Sequence, residues 1–179
     1  MKLKLLFLAF ILLFNVFAVQ AQQKPQFDTS VLSEAGRKSY EKILNAGVFS
    51  IGGVGYGGNT SEEELALQRL LKEKQAIEAL KILVFQATPE GSLFALLGLR
   101  VKDAELFKSV VEDYKTLPEP PERKSSYPFK GTKIEKGFIQ TQGGCLIFRQ
   151  ERLKIVAQIE AGEYDKTFKL SEGEVADSK

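Results

Sequence analysis

Seven consecutive residues without a polar side chain, Leu93 to Leu99, lie in the middle of the chain and constrain its fold more than any other feature. A segment of this kind belongs in a protein interior. Thr88 and Pro89 precede it as a helix cap followed by proline at the first helical position. The sequence therefore predicts a buried helix here, and a chain of 179 residues is long enough to surround it with one core.

Helices are also predicted before this stretch, from hydrophobic spacing and capping residues. Ser30 is expected to cap one helix, and Gly47 to stop it. A second helix opens on a capping box, which either Thr60 with Glu63 or Ser61 with Glu64 can form.

The second helix is expected to continue, with a break near Lys74, into a segment that is apolar nearly all round, residues 76–85. Because a helix with no polar face is normally buried, this segment is predicted to be the central helix. Asp103 is expected to cap a further helix that includes Tyr114. These helices are predicted to pack as antiparallel hairpins joined by short turns.

Strands are predicted in two places. Residues 48–51 indicate a short strand, and apolar residues within 138–148 flank Gly143 and Gly144 as the two arms of a hairpin. Residues 153–159 fit either a strand, by alternation, or a helix that ends before Gly162, and the helix is favoured. The predicted fold class is therefore α+β, mainly helical: antiparallel helical hairpins with a small β-sheet.

The first 21 residues have the pattern of a cleavable signal peptide. A basic head with Lys2 and Lys4 is followed by an apolar run shorter than the ~20 residues that span a bilayer as a helix. Val19 and Ala21 supply the compact residues expected before a cut. We therefore expect an exported chain, periplasmic or extracellular, without integral membrane association after cleavage.

The expected mature domain covers residues 22–179. Four prolines interleaved with charges predict an exposed, proline-rich loop over 116–131. The polar residues 171–179 predict a disordered tail.

Charge and composition exclude several functions. The chain has 25 basic and 23 acidic residues, and loss of Lys2 and Lys4 would leave these balanced, so no nucleic-acid partner is expected. The absence of histidine excludes histidine-dependent catalytic triads and histidine-ligated metal sites. We expect no catalytic residue, metal or cofactor.

Three glycines, Gly53, Gly55 and Gly58, match the GxGxxG pattern of dinucleotide-binding loops between a predicted strand and a predicted helix. However, three glutamates at 62–64 begin that helix, where a pyrophosphate would otherwise bind. We therefore interpret the run as a loop shaped by packing.

Cys145 is the only cysteine, so the fold has no intrachain disulfide. A reactive thiol at this position would need a neighbouring cation or a helix N-terminus to stabilise its thiolate. Burial as a small hydrophobic residue on a strand is the favoured interpretation.

Two resemblances bear on function. The segment from Lys74 to Lys115 resembles a HEAT-like helix pair, a family that builds protein-binding scaffolds by stacking such pairs. The residues that carry this resemblance are Ala76, Ile77, Leu80, Leu83, Pro89, Ser92 to Leu99 and Asp103. The chain also looks like a family of small exported bacterial proteins, a resemblance that implies no activity. The residues that carry this second resemblance are the glycine run, Thr88 to Gly91, Phe94 to Leu99, and Gly144 with Cys145.

The favoured function is an exported, non-catalytic module of the cell envelope or secreted fraction that binds another protein or has a structural role. If it binds a partner, the exposed loops are the expected contacts. The candidate contact residues are Gly55, Tyr56, Gly57, Tyr127 and Phe129. The alternatives are a histidine-independent enzyme or thiol sensor that uses Cys145, and a structural subunit that associates with itself.

Overall fold

The computed structural model describes residues 26–126 and 130–168. The predicted signal peptide at 1–21 and the predicted tail at 171–179 lie outside these ranges, as do Tyr127 and Phe129. No helix within the described ranges is long and apolar enough to cross a membrane.

Six α-helices and three two-stranded antiparallel sheets make up the described parts of the chain, which confirms the predicted α+β, mainly helical class. The helices are α1 (Glu34–Leu44), α2 (Glu62–Leu70), α3 (Ala76–Gln86), α4 (Pro89–Lys102), α5 (Ala104–Lys115) and α6 (Arg152–Ala161). The strands are β1 (Gly53–Val54), β2 (Asn59–Thr60), β3 (Arg123–Lys124), β4 (Lys133–Ile134), β5 (Phe138–Gly143) and β6 (Leu146–Glu151).

Helix α4 is the centre of the molecule, with ten consecutive buried residues from Glu90 to Leu99. It contacts each of the other five helices and strand β5. The burial predicted for 93–99 is confirmed, but the prediction that 76–85 is the central helix is wrong. Helix α3 has Phe85 42% exposed and Lys81 on the surface, because its hydrophobic residues pack mainly against one neighbour, α4.

Two glycines allow other helices to come close to α4. A Cβ atom at Gly91 would lie 2.1 Å from the carbonyl oxygen of Ile43, and one at Gly98 would lie 2.9 Å from Leu67 Cδ1. Residues of α1 and α2 therefore contact the backbone of α4 at these two positions. A residue with a Cβ atom at either position would increase the distance between the helices.

The predicted caps of three helices are confirmed. The side-chain oxygens of Ser61, Thr88 and Asp103 each accept a hydrogen bond from the backbone N–H three residues ahead, at 3.1, 3.1 and 3.0 Å. The break near Lys74 is also present, between α2 and α3.

The first predicted cap is wrong. Ser33, and not Ser30, caps α1, and its hydroxyl accepts the Gly36 N–H at 3.0 Å. Ser30 lies inside a short 3-10 turn, Thr29–Val31, that Asp28 caps. Helix α1 ends at Leu44, three residues before the predicted stop at Gly47.

The hairpin predicted within 138–148 is present as β5 and β6, in a register that pairs Gly143 with Leu146 and Phe138 with Glu151. Residues 48–51 do not form a full strand, because only Phe49 pairs, through a parallel bridge to Thr141. Residues 153–159 are helical, as favoured, and α6 ends at Gly162 with φ +75°.

Part of the proline-rich segment forms contacts with distant residues. Strand β3 pairs with β4, and Pro120 and Ser125 are buried. The Arg123 guanidinium donates to the Phe138 carbonyl at 2.9 Å. Contacts with distant residues thus hold Pro120, Ser125 and β3, whereas most of the other described residues of 116–131 are exposed.

Candidate functional site

Two hairpin turns lie side by side at one end of the molecule. The Gly55 N–H donates to the Gly144 carbonyl at 2.9 Å, and the Gly144 N–H donates to the Gly53 carbonyl at 3.3 Å. The β1–β2 turn and the β5–β6 turn are thus joined directly through their backbones. We call the four exposed residues next to this junction, Tyr56, Cys145, Leu146 and Phe148, the tip surface.

Large hydrophobic side chains on the tip surface are strongly exposed. Tyr56 is fully exposed, and Leu146 and Phe148 have 62% and 46% of their surface accessible. Within the described residues, three of the six exposed large hydrophobic side chains are therefore on these two adjoining turns. Single exposed hydrophobic residues are ordinary, whereas a cluster is typical of an interaction surface.

Cys145 is exposed, so the prediction that it is a small buried residue on a strand is wrong. The register places Gly144 and Cys145 in the two-residue turn between β5 and β6. Gly144 adopts φ +55°, which suits the first central position of a type II′ turn. The apolar residues after Cys145 suggested a buried strand, but β6 is at an edge of the sheet and leaves its first residues accessible.

The predicted glycine loop and the predicted proline loop meet at an open cleft of about 690 Å³. Gly55 lines it from the first loop, Ser126 from the second, and Gln142 from β5. The structure therefore brings together the surroundings of both predicted contact regions. Tyr127 and Phe129 themselves are not among the described residues.

Charged residues on the cleft belong mainly to helix ends. Glu62 and Glu63 lie in the first turn of α2, and Lys42 approaches Glu63 at 3.7 Å. Strand β1 has two residues and pairs antiparallel with β2, so the GxGxxG run lacks the parallel βαβ unit of a dinucleotide site. This geometry agrees with a loop shaped by packing.

Glu64 anchors the glycine loop to α2. Its carboxylate accepts the Gly52 N–H at 2.7 Å, so it does not complete the capping box. Burial raises the pKa of Glu64, and the hydrogen bond from Gly52 acts in the opposite direction. The Glu64 carboxylate thus holds Gly52, at the start of the glycine loop that contains Tyr56.

The structure also contains a buried ion pair that the sequence analysis missed. Glu90, with 3% of its side chain exposed, pairs with Arg123 and accepts the Gln140 N–H at 2.9 Å. Burial raises the pKa of Glu90, while the charge of Arg123 lowers it. An acid in the first turn of a helix normally indicates dipole stabilisation at the surface, and its burial here depends on β3 and β5, which are distant in the sequence.

This ion pair has a structural role. It joins the N-terminus of α4 to β3, and Gln140 joins it to the hairpin that carries Cys145, Leu146 and Phe148. No nucleophile takes part in these contacts, and within the described ranges no group of three or more acidic or cysteine residues could hold a metal ion.

The chain has no match among protein-family models, curated proteins or solved structures. The resemblances to a HEAT-like helix pair and to small exported bacterial proteins therefore stay predictions.

Proposed function

We propose that this chain is a non-catalytic protein-binding module of the cell envelope or secreted fraction, and that the tip surface contacts its partner. One observation carries the proposal: Tyr56, Leu146 and Phe148 are exposed together on two turns joined by backbone hydrogen bonds. A few clustered residues, often aromatic, supply most of the binding free energy in protein interfaces.

The rigidity of its support favours the same proposal. Glu64 holds one turn to α2, and Glu90 holds the strand behind the other turn to α4. Turns whose backbone is held in this way lose little backbone conformational freedom when a partner binds. Gly55 and Gly57 belong to the same turn as Tyr56, and Tyr127 and Phe129 stay predicted contacts.

Affinity capture with matched variants tests this proposal. Mature chain from Gln22 onward is immobilised and exposed to an extract of its own envelope and secreted fraction. Phe148→Ser removes an aromatic side chain from the tip surface, and Phe85→Ser removes one of similar exposure, 42% against 46%, from α3. Circular dichroism establishes that both variants fold.

The proposal predicts that one partner is enriched by the unchanged chain and by Phe85→Ser, and is retained about tenfold less by Phe148→Ser. Equal retention by both variants would contradict it. Tyr56→Ser serves as a second test on the other turn.

The exposure of Cys145 favours a second candidate function, a thiol sensor. Its support is weaker, because accessibility alone does not make a thiol reactive. If the first proposal is correct, the unchanged chain should capture its partner equally under reducing and oxidising conditions. Capture that depends on redox conditions only when Cys145 is present would favour the sensor.

A further inference from the structure

We draw no further inference here: the strongest candidate, the uncharged outer edge of β6 from Leu146 to Phe148, is a strand edge that pairs with none of the described residues, and nothing in the structure shows what covers it.

Discussion

At the scale of single residues, the exposure of Cys145 has a direct chemical consequence. The thiol lies on a turn and needs no unfolding to meet a reagent. We predict that one thiol per chain reacts with a disulfide reagent at neutral pH in the native state, as completely as in denaturant. Ellman's reagent measures this, and Cys145→Ser is the blank. Reaction that occurs only after unfolding would show that the thiol is buried.

The buried carboxylate of Glu90 should give stability a characteristic pH dependence. Burial raises its pKa in the folded state above the ordinary value of 4.5, so over the interval between the two values the folded chain holds a proton that the unfolded chain has released. The contribution of Glu90 to stability is therefore complete below the ordinary value and is lost as pH rises through the folded value.

Urea denaturation of the unchanged chain and of Glu90→Gln, at a series of pH values from acidic to neutral, tests this sign. The free energy of unfolding of the unchanged chain, minus that of Glu90→Gln, should decrease as pH rises. Glu105→Gln, at an exposed position, controls for the loss of one charge. A difference that increases with pH would contradict the account.

At the scale of elements, glycine at position 91 determines how closely α1 approaches α4. Alanine is normally preferred in a helix by about 1 kcal/mol, but here its Cβ would lie 2.1 Å from the Ile43 carbonyl oxygen. We predict that Gly91→Ala lowers the free energy of unfolding by about 1–3 kcal/mol through overpacking. Chemical denaturation measures this.

Gly36→Ala is the matched control in α1. Its added Cβ would meet the Glu73 carboxylate, which ends a flexible side chain and can move aside. We expect a much smaller change than at Gly91. If both variants lower the free energy of unfolding equally, the contact between α1 and α4 does not explain the glycine at position 91.

The starts of three helices could be predicted from the sequence, because capping is local. Ser61, Thr88 and Asp103 each bond a backbone N–H only three residues away. The predictions that were wrong concern features that depend on contacts between residues distant in the sequence. Helix α4 is central because five other helices surround it, although α3 has the more uniformly apolar sequence.

The candidate site could be predicted only in part, for the same reason. The glycine-rich surroundings of Tyr56 predict an exposed loop, whatever the fold. Leu146 and Phe148 are predicted only as part of one arm of a hairpin, since an apolar run does not show whether a strand is at an edge. Their proximity to Tyr56 depends on the bond between Gly55 and Gly144, 89 residues apart in the chain.

At the scale of the whole molecule, the proposed export makes a prediction about the mature chain. Compact residues at Val19 and Ala21 should direct cleavage after Ala21 when the full chain is expressed with its own leader in a bacterial host. Intact mass and N-terminal sequencing should find Gln22 first in the exported fraction. Ala21→Leu should block cleavage. If the unchanged chain is neither cleaved nor exported, the proposal is contradicted.

The most direct test of the central claim is amide hydrogen exchange at β6, measured residue by residue by nuclear magnetic resonance. The Ile147 and Arg149 N–H groups, which point away from β5, should exchange quickly in the dilute, isolated chain and slowly when the chain is bound to its partner. Phe148, whose N–H points toward β5, should be protected in both states. If Ile147 and Arg149 exchange equally fast in both states while a different surface gains protection, the tip surface is not where this protein binds.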